Sequence, residues 1–262
     1  MINHEIKAIL FDLGETLLNF GKVNAGELLT EAGGLAYDFL RQNQQPVGKL
    51  KTYLRRNISG LRLRHLISCI TGRDFDSLAV LKQYGTKRGI RLSEEQWKHV
   101  NWLWYEPLSR KASVEPDLVK TLTKLTDAGL KLGIVSNTFV HACTLDKHLA
   151  KEGLLDFFEL RIYSYQLNFR KPDKRIFLEA AQRMDVEPKN VLFVGDRINK
   201  DVKGALGAAM NPVLKNAYTN TGKKPPDGVP VINAISELPE MVEKINSRNS
   251  KCFLGTKTYP GP

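Results

Sequence analysis

The sequence predicts an α/β protein with a three-layer, doubly wound parallel sheet as its core and an all-helical domain inserted after the first strand. After residue 112, short apolar runs typical of buried strands alternate with helical patterns, and this alternation favours a parallel sheet covered on both faces. Between residues 20 and 112, apolar residues recur at three- and four-residue spacing without strand-like runs. We therefore predict an α/β core domain formed by residues 1–19 and 113–246, a helical insertion at 20–112 and a tail at 247–262.

The first strand is predicted at residues 6–12, where an apolar run leads into Asp12 and a tight turn. About four or five helices follow in the helical insertion, with the clearest patterns at 26–41, 47–58, 75–88 and 93–105. The last of these begins at Ser93 and has Gln96 three residues later, which is the spacing of a capping box.

The alternating region starts with a helix that opens at Glu115 and ends at Gly129. Strands are predicted at 130–136, 161–163, 191–194, 212–214 and 229–232, with helices at 139–150 and 173–184, another ending at 210 and a last one ending at about 245. Because the carboxyl ends of parallel strands meet at one edge, Asp12, Ser136-Asn137 and Gly195-Asp196 should converge.

Composition narrows the class of protein. The chain has 262 residues, of which 42% are hydrophobic, so it can bury a sizeable core. Three widely spaced cysteines form neither a disulfide framework nor a metal pair, and no leader or membrane-length apolar stretch is seen, so we expect a cytoplasmic protein without a membrane partner. The net charge of +11 is scattered and accompanied by no nucleic-acid motif, which favours a small anionic substrate over nucleic acid. Nothing in the sequence indicates an oligomeric state.

The groups at the converging strand ends suit phosphoryl transfer. An aspartate such as Asp12 can attack phosphorus and form an aspartyl-phosphate that water later hydrolyses. Because two anions must approach each other, the site needs positive charge, which a divalent cation and a lysine supply. Asp12 and Asp196 could share the cation, and Asp201 could hold a metal-bound water.

Phosphate-binding groups are found in two further segments. Ser136 offers a hydroxyl at a strand end with the Asn137 amide beside it, and Lys171 lies just before a helix whose N-terminus favours anions. Each of these motifs alone is more often a turn, a helix cap or an exposed loop than part of a site. Their order along the chain, each at a predicted strand end or helix start, favours an active site.

Four motifs together resemble those of a known superfamily. They read Ile9-Leu10-Phe11-Asp12-Leu13-Gly14-Glu15-Thr16-Leu17, then Gly133-Ile134-Val135-Ser136-Asn137, then Lys171-Pro172-Asp173 with Phe177, and then Val194-Gly195-Asp196 with Asp201, Gly204 and Ala205. On these motifs the chain resembles the haloacid dehalogenase superfamily of hydrolases, over nearly its whole length outside the helical insertion and the tail.

The resemblance implies a Rossmann-like core and a Mg²⁺-dependent phosphatase of a small phosphorylated metabolite. It implies that Asp12 is the catalytic nucleophile, and that Ser136 and Lys171 bind the phosphoryl group. Mg²⁺ would be bound by Asp12, Asp196 and the backbone carbonyl of residue 14, which is Gly14, with Asp201 in support. The helical insertion resembles the family's cap domain, which closes over the site and selects the substrate.

The sequence departs from the family pattern at Gly14. Phosphatases of the family usually carry there a second aspartate, which protonates the leaving group and then activates water, and glycine can do neither. General acid–base catalysis contributes ~10²–10⁴-fold to a rate.

Several hypotheses follow from this departure. A phosphatase that tolerates the loss should prefer good leaving groups, with Glu15 as a candidate partial substitute. The alternative is a phospho-ligand-binding or regulatory protein with weak or no turnover. A haloacid-dehalogenase-type activity is less favoured because the acidic pair Asp196 and Asp201 differs from the pattern of those relatives.

Two surface features of the helical insertion allow more than one interpretation. Aromatic residues cluster from Trp97 to Tyr105, and core packing is favoured over a stacking surface for a sugar or base. A basic patch runs from Arg55 to His65, and a solvated helix face is favoured over contact with an anionic substrate.

Overall fold

The computed structural model describes residues 5–254 and contains one six-stranded sheet in which every neighbouring pair is parallel. The strands are β1 Ala8–Phe11, β2 Lys131–Ser136, β3 Leu160–Tyr163, β4 Val191–Gly195, β5 Asn211–Lys215 and β6 Val231–Ile232. Their order across the sheet is β3-β2-β1-β4-β5-β6. The predicted doubly wound parallel sheet is therefore confirmed.

Ten α-helices are found in the described part of the chain. Those of the helical insertion are α1 Ala25–Gln42, α2 Leu50–Thr71, α3 Ser77–Thr86, α4 Glu94–Leu103 and α5 Glu106–Ser109. The remaining helices are α6 Leu118–Asp127, α7 Ala142–Lys151, α8 Lys174–Arg183, α9 Lys203–Gly207 and α10 Leu238–Leu254, and a π-helical turn at Ile198–Val202 leads into α9. No helix among residues 5–254 is both long and apolar enough to cross a membrane.

Side-chain alternation along the central strand produces the three layers. Ile9 and Phe11 of β1 pack with α6, α7 and α10, whereas Ala8 and Leu10 pack on the other face with α8 and α9. All four residues are fully buried, which explains why the strand appears in the sequence as an unbroken apolar run.

Two helices are longer than their sequence patterns predict. The second helix was predicted at 47–58, but α2 continues to Thr71, and its apolar residues after Leu61 are largely exposed. Because this stretch has little packing, apolar periodicity does not mark its end. The last helix runs to Leu254, into the segment predicted as a tail, since residues 246–254 contain no glycine or proline to stop a helix.

Three of the four residues in the aromatic cluster of the helical insertion pack in the core, as the favoured interpretation predicts, whereas Trp104 is half-buried. Trp97, Trp102 and Tyr105 are all buried. A Cβ added to Gly85 of α3 would collide with the Trp97 ring, so glycine allows α3 and α4 to approach closely. Of the basic patch, Arg55, Arg56 and Arg62 are exposed.

A buried histidine joins the helical insertion to α7. The side chain of His148 is inaccessible to solvent, its Nδ1 lies 3.0 Å from the Tyr105 hydroxyl, and its Nε2 lies 3.7 Å from Oε1 of Glu152. Burial, together with the positive charge of Lys151, lowers the pKa of His148 to about 4. The neutral imidazole is therefore the form that the folded protein stabilises.

This histidine should make the protein less stable in mild acid. The pKa of His148 is lower in the folded than in the unfolded chain, so the unfolded chain binds more protons below about pH 6.5. The free energy of unfolding therefore decreases as the pH is lowered. We expect His148 to contribute about 2 kcal/mol to the loss between pH 7 and pH 5. Urea unfolding of wild type and His148→Gln at both pH values measures the difference, with the exposed His65→Gln as control. Parallel pH profiles for wild type and His148→Gln would contradict the prediction.

Candidate active site

Asp12 lies where β1 ends, between the ends of β2 and β4. Its backbone N–H donates to the Val194 carbonyl at 2.9 Å, which continues the β1–β4 ladder by one residue and holds the aspartate at the edge of the sheet. Ser136 ends β2, and Asp196 directly follows β4. Both are buried, as is the Asp12 side chain, so the strand ends converge as the sequence predicts.

Lys171 connects this edge to the loop before α8. Its Nζ donates to Oδ1 of Asp12 at 2.7 Å and to the Val135 carbonyl at 2.9 Å, and it lies 2.8 Å from Oδ1 of Asp201. Burial alone would lower the pKa of Lys171, but the charges of Asp12 and Asp201 and the hydrogen bonds to them outweigh burial and raise it. The lysine is therefore a fixed positive charge between two carboxylates.

Asn137 holds the lysine in place. Its Nδ2 donates to the Lys171 carbonyl at 2.8 Å, and its Oδ1 accepts from the Lys171 N–H at 2.9 Å. Both ends of the carboxamide are thus bonded to the main chain of Lys171. Direct substrate binding by Asn137, which the sequence suggested, stays a prediction.

Three buried carboxylates face one another at this edge. Asp12, Asp196 and Asp201 each offer an oxygen, and these oxygens lie within 4.8 Å of one another. Gly195 allows the close approach, because a Cβ there would lie 2.5 Å from Cβ and Cγ of Asp201. Oδ2 of Asp201 accepts the Arg197 N–H at 2.8 Å, which fixes its orientation.

The Asp196 carboxylate is only partly satisfied by the described residues. Its Oδ2 accepts a hydrogen bond from the Thr219 hydroxyl, while its Oδ1 is buried and has no hydrogen-bond partner among them. Burial, and then the negative charge of Asp12, raises the pKa of Asp196 to about 7. A divalent cation bound by oxygen ligands would satisfy this oxygen and offset the repulsion, so the donor set fits Mg²⁺.

The sequence analysis missed Thr219 and Asn220, which form hydrogen bonds to Asp196. Asn220 donates through Nδ2 to the backbone carbonyls of Asp196 and Lys215, both at 2.8 Å. Both residues follow β5, the strand next to β4 in the sheet. Their position shortly after a strand end is the sequence signal that could have identified them.

Gly14 leaves room for a side chain. A Cβ at this position would meet only Cε2 of Phe20, at 3.7 Å, which is an ordinary van der Waals contact. The absence of an acid at residue 14 is therefore not enforced by packing against the described residues. Coordination of a metal by the Gly14 carbonyl stays a prediction.

Glu15 is a candidate substitute for the missing acid at residue 14, but its carboxylate binds the backbone instead. Its Oε1 accepts the backbone N–H groups of Phe20 at 3.0 Å and of Gly21 at 3.2 Å, which ties down the chain where it enters the helical insertion. Burial raises the pKa of Glu15, although these two hydrogen bonds oppose the rise. A carboxylate engaged in this way is poorly placed to replace the missing acid.

A buried ion pair connects the helical insertion to the loop that carries Lys171. Oδ1 of Asp74, between α2 and α3, accepts from Nη1 of Arg170 at 2.8 Å and from the Ser68 hydroxyl at 2.5 Å. Its Oδ2 accepts from the Ser164 hydroxyl, whose oxygen accepts the Thr138 N–H at 2.9 Å. Asp74 thereby contacts Ser164, directly after β3, and Arg170, directly before Lys171, and it is linked through the Ser164 hydroxyl to the loop that follows β2.

Removal of this carboxylate should destabilise the protein strongly. In Asp74→Ala the Arg170 guanidinium, mostly buried, keeps its charge without its partner, and we expect a loss of about 3 kcal/mol in the free energy of unfolding. The exposed pair Glu179–Arg183 on α8 is the matched control, and Glu179→Ala should cost less than about 0.5 kcal/mol. Urea unfolding compares the two variants, and equal losses would contradict the expectation.

Comparison with known proteins identifies the family. Residues 6–209 match the family model described as haloacid dehalogenase-like hydrolase. The glyceraldehyde 3-phosphate phosphatase of Methanopyrus kandleri is 34% identical over 253 residues, covering 92% of this chain and 98% of its own. The pyrimidine 5'-nucleotidase YjjG of Escherichia coli is 27% identical over 89% of this chain and 95% of its own.

A solved structure has the same architecture. The HAD phosphatase from Thermococcus onnurineus superposes with a TM-score of 0.57 at 27% identity, covering 90% of this chain and 98% of that one. The sheet order and the clustered acids agree with the four motifs by which the sequence resembled this group. The chain therefore belongs to the haloacid dehalogenase-like hydrolase family and is an enzyme of its phosphatase type.

Proposed function

We propose that this enzyme is a Mg²⁺-dependent phosphatase that hydrolyses a small phosphorylated metabolite through an aspartyl-phosphate on Asp12. The observation that carries the proposal is the cluster of three buried carboxylates beside Lys171, with Oδ1 of Asp196 left without a hydrogen-bond partner among the described residues. Such a cluster costs free energy on its own, and a bound cation would offset that cost.

Each residue has a role in the proposed reaction. A carboxylate oxygen of Asp12 forms the bond to phosphorus while the bond from phosphorus to the leaving oxygen breaks, and water later cleaves the aspartyl-phosphate to release phosphate. Lys171 orients the nucleophile through Oδ1 of Asp12 and offsets the charge of the phosphoryl oxygens, one of which would also meet the Ser136 hydroxyl. Mg²⁺, held by Asp12, Asp196 and the Gly14 carbonyl with Asp201 in support, would supply further positive charge.

Gly14 decides which substrates are turned over well. With no acid two residues after the nucleophile, the leaving oxygen departs without a proton from the protein at that position. Acyl phosphates and other activated phosphates need such help least, so they should be the better substrates. Equal rates for activated and alkyl phosphates would contradict this expectation.

The helical insertion is proposed to act as the cap that selects the substrate. This division, with a core at 1–19 and 113–246 and the cap at 20–112, is supported by the position of α1–α5 between β1 and β2 and by the absence of sheet strands among them. A cytoplasmic location is likewise proposed, and the free thiols of Cys69 and Cys143 suit a reducing compartment.

A second function is favoured by Gly14 itself. A protein that binds a phosphorylated ligand and Mg²⁺ without turnover would need the lysine and the carboxylate cluster but no acid at residue 14. Tight binding of a phosphorylated ligand with no phosphate release would support it. Absence of any ligand-dependent shift in melting temperature would count against it.

The deciding experiment is phosphate release from an activated aryl phosphate by wild type and by Asp12→Asn, each with Mg²⁺ or with chelator. Metal-dependent release by wild type that vanishes in the variant supports the covalent phosphatase. Release no greater than that of Asp12→Asn would favour the ligand-binding protein instead.

A further inference from the structure

A cavity of about 510 Å³ lies within the helical insertion, against the loop that follows β2. Its wall is mainly apolar and includes Leu28, Leu61, Phe75, Val80, Trp104 and Leu108. Building on the proposed function, we propose that this cavity holds the organic part of the substrate, and that the substrate is a phosphorylated compound with a bulky, largely apolar, ring-bearing group. The volume falls in the ~300–1,000 Å³ range of pockets that hold drug-sized ligands, which is far more than a two- or three-carbon phosphate would fill.

The cavity borders the chain segments that leave the catalytic edge. Phe139 and Val140 line it and follow Ser136 by three and four residues. The Phe139 carbonyl accepts the Ser77 N–H of α3 at 2.9 Å, so the cavity wall is bonded to the loop that begins at the proposed phosphate site. On the other side the lining includes Val23, nine residues after Gly14.

Several polar side chains of the lining are already used within the protein. The Asn101 side chain accepts from the Ser77 hydroxyl and donates to the Thr144 hydroxyl, at 2.8 and 2.6 Å. Asn57 donates to the Tyr53 carbonyl at 2.8 Å, and the Tyr105 hydroxyl bonds His148. Among these asparagine and tyrosine side chains a ligand rich in hydroxyl groups would find few free partners, and it would lose hydrogen bonds that it makes with water. An apolar ring has no such cost and gains from burial.

The rim has the charge that an anionic ligand needs. Arg56 and Arg62 line the cavity, are exposed, and form no ion pair with any carboxylate in the described part of the chain. Unpaired guanidinium groups at an entrance attract phosphorylated compounds over neutral apolar ones. Together, the apolar wall and the basic rim favour a phosphorylated apolar compound over either a sugar phosphate or an uncharged ligand.

A matched pair of substrates tests the size of the organic group. Acetyl phosphate and 2-naphthoyl phosphate have carboxylate leaving groups of similar basicity, so kcat/KM compares their size with little influence of leaving-group chemistry. We expect kcat/KM to be at least about tenfold higher for the naphthoyl compound. The uncleavable pair methylphosphonate and 2-naphthylmethylphosphonate tests the same preference by calorimetry in the presence of Mg²⁺, without any need for turnover.

Two glycines provide a variant and its control. Gly60 of α2 lines the cavity and has nothing within 4 Å of an added Cβ, so Gly60→Phe should occupy part of the cavity. It should reduce the naphthoyl-to-acetyl ratio of kcat/KM, and the ratio of phosphonate affinities, about tenfold. Gly34 of α1 is equally open but does not line the cavity, so Gly34→Phe should leave both ratios unchanged.

The outcomes separate this proposal from the proposed function. Equal kcat/KM for both acyl phosphates would overturn the substrate class while leaving a phosphatase. No Mg²⁺-dependent hydrolysis of either compound, combined with tighter naphthyl phosphonate binding that Gly60→Phe abolishes, would overturn the phosphatase and support the ligand class. Equal affinity for the two phosphonates would overturn the ligand class.

Discussion

Replacing Gly14 with aspartate is expected to increase the turnover of alkyl phosphates ~10²-fold or more, toward the full ~10²–10⁴-fold of general acid–base catalysis. The new carboxyl group would stand two residues after Asp12 and could protonate the leaving oxygen. An added Cβ finds only Phe20 nearby, at 3.7 Å, and the backbone at Gly14 lies outside the left-handed region that L side chains avoid. Steady-state phosphate release from an alkyl phosphate and from an acyl phosphate measures the effect, which should be far smaller for the acyl compound.

Gly14→Asn is the matched control for this substitution. Asparagine has nearly the same size and shape as aspartate but cannot donate and recover a proton in the same way. Melting temperatures of both variants establish that each is folded under the assay conditions. If Gly14→Asn and Gly14→Asp turned over alkyl phosphates equally well, the role assigned to the missing acid would be wrong.

Replacing Lys171 with methionine is expected to reduce kcat/KM for an activated phosphate by ~10²–10³-fold, the usual effect of removing one preorganised donor to a developing charge. Lys171 Nζ lies 2.7 Å from Asp12 and 2.8 Å from Asp201, and both carboxylates would lose their positive neighbour. Phosphate release at saturating Mg²⁺ measures the loss. Lys174→Met, which alters an exposed lysine three residues later, should have nearly wild-type activity.

The same substitution should also destabilise the fold, and a double variant separates the two effects. Without the positive charge of Lys171, the buried Asp12 and Asp201 carboxylates should lower the free energy of unfolding by about 3 kcal/mol. In Lys171→Met combined with Asp201→Asn one of these charges is gone while the nucleophile Asp12 is kept, so stability should partly recover while kcat/KM stays as low as in Lys171→Met. Recovery of activity along with stability would mean that Lys171 serves only the fold.

The sequence by itself determined the fold class and the residues that meet at the carboxyl edge of the sheet. β1 and β4 are covered on both faces, so they appear as contiguous apolar runs, and a polar residue follows directly where each run ends. Parallel pairing then places Asp12 and Asp196 side by side without any knowledge of the remaining contacts. The strand bounds were close, with residues 6–12 predicted and Ala8–Phe11 found.

The tertiary structure alone decided what several side chains do. The Asn137 carboxamide bonds the backbone of Lys171, 34 residues away, and the Glu15 carboxylate is bonded to the chain entering the helical insertion. Both residues looked suited to catalysis, because a motif specifies which residue type is present and not the partner that its polar atoms find.

Contacts between distant segments were equally hidden from the sequence. Asp74 and Arg170 are 96 residues apart, and no local sequence pattern around either residue predicts their contact. The cavity beside the loop after β2 exists only because the five helices α1–α5 leave space between them, and its volume and exposed arginines depend on how those helices pack. Local periodicity reports which face of an element is buried, whereas the shape of the space enclosed between elements is set by long-range packing of side chains.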